Sequence, residues 1–247
     1  MGPSVATEPR HLAHPAASRR TAATVVRWFE RSSRAVETPV LPSPAMKPAL
    51  REHILEIAAT LFTQRGYTAT GVDLIVDEGG IAKKTLYTYF GSKEALVVAV
   101  LERAAERERA ALLTTIAEYP GDPRAALLGF FSRLAEEAES GLWTSCPILA
   151  AASEFPINPQ PARTFCRQHA AAIDAILLDQ CKRAGAPRHK ELAADLALTL
   201  RGGMVCAMLA DGAKEKAARL WLAEEAADRL LEMHGVSRRD SGVHMPD

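Results

Sequence analysis

The sequence predicts an all-α protein, with an N-terminal three-helix domain of the helix-turn-helix type followed by a larger helical C-terminal domain. Apolar residues recur at helical spacing through most of the chain after residue 46. No segment shows the strict alternation of apolar and polar residues that is typical of a strand. Glycine and proline lie between the apolar segments, where they end helices and form turns. These observations predict nine helices.

Residues 1–45 differ in composition from the rest, because they are rich in Pro, Ala, Ser, Thr and Arg. Over residues 1–46, six arginines stand against three glutamates, so the segment is basic. We predict a disordered arm that is solvated or adds non-specific phosphate contacts. Two alternatives are a transit peptide and a start codon assigned upstream of the native one, since Met46 immediately precedes the first helical pattern.

The first predicted helix is long and the second is short, and both end at glycines. The first begins near Lys47 and ends at Gly66, with Leu50, Ile54, Ile57, Ala58, Leu61 and Phe62 on one apolar stripe. The second spans residues 71–78, and Thr70 is positioned to cap it. Its inner face carries Val72, Ile75 and Val76.

A tight turn at Gly79-Gly80 leads to the third helix, residues 83–90. Leu86 and Phe90 lie four residues apart and are predicted to point inward, which leaves the cationic, hydroxyl and other aromatic side chains outward. Two short helices joined by a glycine turn and supported by a longer one form a helix-turn-helix unit. We place this DNA-binding domain at residues 46–92.

Residues 51–96 resemble the N-terminal domain of the TetR family of bacterial regulators, also called the TetR/AcrR family. The family pattern closes with Leu-Tyr-x-(Tyr/His)-Phe and Ser-Lys-Glu, which stands here as residues 86–94, Leu-Tyr-Thr-Tyr-Phe-Gly-Ser-Lys-Glu. Three positions depart from the pattern. Ala82 replaces the usual Ser or Thr cap of the third helix, and Lys84 replaces the small residue that usually follows the next lysine. Gly79 replaces the usual alanine before the turn.

The resemblance implies DNA-binding roles for individual residues. Lys83, Lys84 and Thr85 match the base-facing start of the recognition helix, where Lys can donate to guanine and Thr can contact thymine. The positions that hold the DNA backbone are matched by Thr70, Tyr87, Tyr89 and Lys93. Alternatively, the two tyrosines only cover the small core, and Lys93 is a solvated lysine near a helix start.

The fourth predicted helix is a long strut, from the cap Ser92 to about residue 117, roughly 39 Å in length. Five more helices follow, at residues 123–141, 146–155, 158–184, 187–211 and 214–234. We place the C-terminal domain at residues 93–235 and a disordered tail at 236–247.

In the TetR family, the middle helices enclose a ligand cavity, and the resemblance implies the same here. Apolar walls with one or two convergent polar groups are typical of small-molecule sites. The candidate ligand-binding residues are Trp143, Cys146, Phe155, Phe165, His169 and Ile173. Each of these could equally be an ordinary core residue.

The resemblance also implies that the last two helices pair with those of a second copy. One predicted face carries Leu192, Leu196, Leu200, Gly203 and Ala207, and the other carries Leu220, Ala223, Ala227 and Leu230. Small residues among the leucines permit close helix approach. The alternative is that these faces pack only within one chain.

Composition and motifs exclude several other classes of protein. Net charge is zero over 247 residues, so any contact with DNA must come from a local patch. Four dispersed cysteines without a CxxC pair predict reduced thiols in the cytoplasm, with no disulfide framework or zinc site. Cys166 and His169 are three residues apart, but two ligands are too few for a metal. No catalytic motif, cofactor fingerprint or membrane-spanning apolar run is present.

The sequence therefore predicts a homodimeric repressor that binds a palindromic operator in double-stranded DNA. A small apolar or amphipathic effector in the C-terminal cavity would shift the fourth helix and release the DNA. The alternative is an all-helical enzyme or small-molecule carrier without specific DNA binding.

Overall fold

A computed structural model describes residues 47–155 and 160–237. These residues contain nine helices and no strand, as predicted. The helices are α1 Pro48–Arg65, α2 Val72–Gly79, α3 Lys83–Phe90, α4 Lys93–Glu118, α5 Pro123–Glu139, α6 Pro147–Glu154, α7 Pro161–Arg183, α8 His189–Met208 and α9 Gly212–Met233. The predicted arm at residues 1–45 lies outside the described residues, as do 238–247 of the predicted tail.

Side-chain caps define the starts of the two helices that follow the DNA-binding unit. The Ser92 hydroxyl accepts a hydrogen bond from the Ala95 amide at 3.0 Å, which satisfies one free donor at the start of α4. Asp122 does the same for α5 through the Ala125 amide at 3.0 Å. Pro123 follows Asp122 at the first helical position, where no amide is required.

Helix α4 joins the three N-terminal helices to the rest of the protein. It packs against α1 and α3 near its start and against α5, α6 and α7 farther along. Leu96, Val97 and Leu101 are buried in its first half, and Ala105 and Leu112 are buried in its second. One connected core therefore extends along α4 through both parts of the chain.

The chain remains folded beyond the predicted domain end at residue 235. Val236 is buried, and its amide donates to the carbonyl of Leu231 at 2.8 Å. Its own carbonyl accepts a hydrogen bond from Arg124 Nε at 3.1 Å. The prediction that Val236 belongs to a disordered tail is therefore wrong, because this residue closes the end of α9 onto α5. The boundary at residue 92 stays a prediction.

Among the described helices, none is both long and apolar enough to cross a membrane.

Candidate nucleic-acid interface and effector cavity

Helix α3 packs against α2 and against α4 through its inner side. Leu86 is 0% exposed and Phe90 is 5% exposed, as their spacing predicted. The turn before α3 is tight, because Gly80 has a φ of 58°, in the left-handed region that favours glycine. A Cβ atom at Gly79 would lie 3.3 Å from Ile57 Cδ1, so the absence of a side chain there allows close packing against α1.

The outer side of α3 presents a cation and an aromatic ring to solvent. Lys84 and Tyr87 are exposed, and Thr85 is half-buried beside them. Lys84 forms no salt bridge with an acidic residue in the described part of the chain. Ala82 provides no side-chain cap, as the sequence indicated, so the first amides of α3 are also available for contacts.

Three other predicted DNA-binding residues already have partners within the protein. Lys83 Nζ lies 2.7 Å from Asp73 Oδ1 of α2. The phenolic oxygen of Tyr89 accepts a hydrogen bond from the Lys47 amide at 2.9 Å, which ties α3 to the start of α1. Lys93 Nζ donates to the Thr68 carbonyl at 3.3 Å. Lys83, Tyr89 and Lys93 are thus oriented by other parts of the DNA-binding unit.

The predicted roles of Thr70 are not consistent with its position. Thr70 is 0% exposed, and its hydroxyl donates to the Gly66 carbonyl at 2.6 Å. Residue Gly71 occupies the N-cap position of α2 and makes no side-chain cap bond. The prediction that Thr70 caps α2 is wrong, because the side chain turns back into the α1–α2 loop. A buried hydroxyl cannot reach a DNA phosphate in this conformation.

A cavity of about 230 Å³ lies between α4, α5, the start of α6 and α8. Its walls are mainly apolar, with charged residues from α4 and α5 among them. The apolar lining includes Leu112, Phe130, Leu134, Trp143, Ile148 and Met204. The charged lining consists of Arg107, Glu108, Arg133 and Glu137, of which Arg133 and Glu137 pair at 3.2 Å.

A second, smaller cavity of about 30 Å³ adjoins the first, and both are lined by Glu108, Cys146 and Ile148. At this junction, His169 Nε2 lies 2.8 Å from Glu108 Oε2. The His169 side chain is buried, whereas Glu108 is partly accessible. The pair therefore places polar groups beside mainly apolar walls, which is the arrangement expected at a small-molecule site.

Four of the six predicted ligand-binding residues line these cavities. Trp143 and Cys146 line the larger one, and Cys146, His169 and Ile173 line the smaller one. Phe155 does not line either cavity and packs against Tyr67 with a ring distance of 5.8 Å. Phe165 also lies outside and stacks on His169 at 6.4 Å. Sequence reasoning missed the charged lining from α4 and α5, because helical spacing marks apolar stripes only.

The cysteines near the cavities are buried thiols. Burial raises the pKa of Cys146 to about 12 and that of Cys166 to about 11, so both are neutral near pH 7. The described cysteines form no disulfide. No cluster of metal-binding side chains occurs within the described residues.

Helix α6 connects the cavity wall with the DNA-binding unit. At one end, Cys146, Pro147 and Ile148 line the larger cavity. At the other end, the amide and the hydroxyl of Thr68, in the α1–α2 loop, donate to Glu154 Oε2 at 2.9 and 3.0 Å. The eight residues of α6 therefore join the cavity to the loop before α2.

A second contact reinforces this connection. The hydroxyl of Tyr67, also in the α1–α2 loop, donates to the Pro147 carbonyl at 3.2 Å. Tyr67 is buried and stacks on Phe62 of α1 at 4.8 Å. The loop is thus fixed both to α1 and to the start of α6.

The faces predicted to pair with a second copy are instead packed inside the chain. Leu192, Leu196, Ala207, Leu220 and Ala227 are all buried within the single chain. Between α8 and α9, a Cβ atom at Gly203 would lie 2.5 Å from Ala223 Cβ. Leu200 lines both cavities. Eight of the nine predicted interface residues are therefore buried between helices of one chain, where the small residues let α8 and α9 pack closely, and these eight do not form an outward face. Leu230 is half-buried, and the pairing of these helices with a second copy stays a prediction.

On the side away from the core, α8 and its C-terminal end expose mainly apolar residues, and α9 exposes two apolar residues among charged ones. Leu198 is 73% exposed and Leu209 is 83% exposed, and Val205 lies between them on the same side. On α9, the exposed apolar residues are Leu222 and Met233. We call these five residues the outer apolar stripe. A stripe of this kind on two adjacent helices marks an interaction surface.

Comparisons with known proteins agree with this architecture. A family model described as bacterial regulatory proteins, tetR family, matches residues 54–100, which include α2 and α3. The chain is 37% identical to the HTH-type transcriptional activator FasR of Mycolicibacterium smegmatis over 93 residues, 36% of this chain and 42% of FasR. The match therefore spans less than half of FasR.

A second relative is matched over more of its length. The HTH-type transcriptional repressor NemR of Escherichia coli is 30% identical over 142 residues, 56% of this chain and 70% of NemR. The fold is similar to the crystal structure of a TetR-family transcriptional regulator from Streptomyces coelicolor, with a TM-score of 0.68 and 20% identity over 75% of this chain and 95% of that one. The chain is thus a DNA-binding transcriptional regulator rather than an enzyme, and it belongs to the TetR family.

Proposed function

We propose that the protein is a homodimeric repressor that binds a palindromic operator and releases it when a small apolar or amphipathic effector enters the cavity between α4, α5, α6 and α8. The observation that carries the proposal is the physical connection between an exposed recognition helix and an apolar cavity. Helices α4 and α6 both extend from the cavity wall to the DNA-binding unit.

The first turn of α3 is proposed to read bases, and the residues around it to hold the DNA backbone. Lys84 is exposed on the outer side of α3, and Thr85 is half-buried beside it. Exposed Tyr87 and the positioned side chains of Tyr89 and Lys93 flank this turn and are suited to phosphate contacts. Thr70 is not included, because its side chain is buried.

Replacing Lys84 with alanine is expected to weaken sequence recognition more than general DNA binding. A lysine that donates to guanine contributes about 1–3 kcal/mol of discrimination against the other bases at that position. Operator affinity should fall by about tenfold or more, whereas affinity for random DNA should fall much less. Fluorescence anisotropy with both DNAs measures this. Lys182→Ala, an exposed lysine on α7, is the matched control and should change neither affinity. Equal losses of affinity for the operator and for random DNA would show that Lys84 contacts the DNA backbone and not a base.

The effector is proposed to act through α6 as well as α4. An effector that displaces the start of α6 would also move Glu154 at its other end, and hence the loop that precedes α2. Such a ligand changes DNA affinity only if its own affinity differs between the protein with α6 in its original position and the protein with α6 displaced. The charged residues around the apolar cavity suit a ligand with an apolar body and a polar end.

Replacing Glu154 with alanine is expected to loosen the α1–α2 loop without unfolding the protein. The Thr68 amide loses its acceptor, so its hydrogen exchange should become about tenfold faster or more. Hydrogen–deuterium exchange on residues 66–71 measures this. Glu139→Ala, an exposed carboxylate at the end of α5, should leave that segment unchanged. Unchanged protection at Thr68 in Glu154→Ala would contradict a role for Glu154 in holding the loop.

A second copy of this chain is the proposed partner for the outer apolar stripe. Pairing through α8 and α9 would bury Leu198, Val205, Leu209, Leu222 and Met233, which are exposed in the single chain. A dimer would also supply two recognition helices, as a palindromic operator requires.

Gel-shift titration with the DNA upstream of the protein's own gene tests the proposal. We expect a complex at nanomolar to micromolar protein that resists competition by random DNA. Equal competition by random and specific DNA would contradict a specific repressor.

A further inference from the structure

We propose that Asp73 restrains Lys83 and thereby lowers binding to non-operator DNA, which makes Asp73 a specificity-determining residue of this regulator. The inference rests on the proposed DNA-binding function. It concerns a residue of α2 that the family pattern did not single out.

The pair joins the two helices of the helix-turn-helix. Asp73 is in the first turn of α2, and Lys83 is the first residue of α3. The Lys83 ammonium donates to Asp73 Oδ1 at 2.7 Å. This hydrogen bond and the negative charge of Asp73 raise the pKa of Lys83. Both side chains are at least half exposed, so the pair is accessible to DNA and can open.

The local structure of α3 favours this pairing. A cation at a helix N-terminus is unfavourable, because the free amides carry partial positive charge there. Helix α3 has no side-chain cap and no acidic residue in its first turn. Asp73 therefore supplies from α2 the negative charge that α3 lacks. Lys84, the next residue, has no salt bridge within the described chain.

The pairing affects operator and random DNA differently. Binding to random DNA depends mainly on lysines and arginines that neutralise phosphates and release counterions. Lys83 can do this only by leaving Asp73, whose carboxylate then stays beside the phosphates and is repelled by them. On the operator, one N–H group of the Lys83 ammonium can donate to a guanine while another stays on Asp73, because an ammonium has three donors. Asp73 thus weakens the non-specific complex more than the specific one.

The Asp73→Asn variant tests the inference, because asparagine keeps the size of the side chain and removes its charge. We expect affinity for random DNA to rise about three- to tenfold. The slope of log affinity against log salt should become steeper by about one, as for one additional phosphate contact. Operator affinity should change less, so the ratio of specific to random affinity should fall. Asp77→Asn is the control, since Asp77 is an exposed carboxylate on the same helix and forms no salt bridge among the described residues.

A double-mutant cycle separates restraint of Lys83 from a general charge effect. If Asp73 acts through Lys83, Asp73→Asn should have little effect on random-DNA affinity in a Lys83→Ala background. An equal effect in both backgrounds, or the same gain in Asp77→Asn, would overturn the inference. Wild-type protein is measured in the same series. If the wild-type protein prefers the operator and Asp73→Asn leaves the affinity for random DNA unchanged, only the restraint by Asp73 is refuted. If the wild-type protein shows no preference for the operator, the proposed function and the inference are both refuted.

Discussion

Replacing both Leu198 and Leu209 with aspartate is expected to separate the proposed dimer into monomers and to weaken operator binding about a hundredfold or more. Both side chains belong to the outer apolar stripe, and two buried carboxylates would oppose pairing. A dimer binds its second half-site intramolecularly, and the loss of that advantage typically costs a factor of about 100–10,000. Sedimentation velocity measures the mass, and fluorescence anisotropy measures the affinity.

The matched control for this prediction is Leu142→Asp. Leu142 is 81% exposed, but it follows α5 and lies outside the stripe. This variant should remain dimeric and bind DNA normally. A Leu198→Asp/Leu209→Asp protein that stays dimeric would show that the partner docks elsewhere.

The Arg124→Ala variant is expected to lower the free energy of unfolding by about 3 kcal/mol. The Arg124 side chain is only 11% exposed, and its guanidinium binds Asp228 of α9 and the carbonyl of Val236. Removing one partner of a largely buried ion pair is strongly destabilising, and Arg124 also holds the Val236 carbonyl. Because α9 carries part of the outer apolar stripe, dimer formation should weaken as well. Urea denaturation followed by circular dichroism measures the change.

Arg229→Ala is the control for Arg124. Arg229 also lies on the C-terminal pair of helices and pairs with Glu225 at 3.7 Å, but both side chains are 62% exposed. Its removal should change the free energy of unfolding by less than about 0.5 kcal/mol. Similar losses of unfolding free energy in the two variants would contradict a specific role of Arg124 in joining α5 to α9 and Val236.

Helical periodicity predicted the parts of the fold that depend on a single buried stripe. Leu86 and Phe90 point inward as their spacing predicted, and Ser92 caps the helix that follows it, as predicted. These features are local, because they depend on residues within one or two turns. Four of the candidate ligand-binding residues, Trp143, Cys146, His169 and Ile173, line the two cavities as predicted.

Periodicity could not resolve α8 and α9, because each helix carries two apolar faces. Leu196 and Leu198 are two residues apart, yet the first is buried and the second is 73% exposed. Which face meets the core depends on packing between helices distant in sequence. The same holds for the contacts of Glu154 with Thr68 and of Asp73 with Lys83, because both join residues that only the folded chain brings together.

The claim that a homodimer reads a palindromic operator is tested most directly by selection. The full-length protein selects the fragments that it binds from a pool of random DNA. A dimer with two recognition helices should enrich an inverted repeat whose half-site centres are about one helical turn, roughly 34–36 Å, apart. Enrichment should be lost for the Leu198→Asp/Leu209→Asp variant. Recovery of no common sequence, or of a single half-site by the wild-type protein, would contradict a homodimer that reads a palindromic operator.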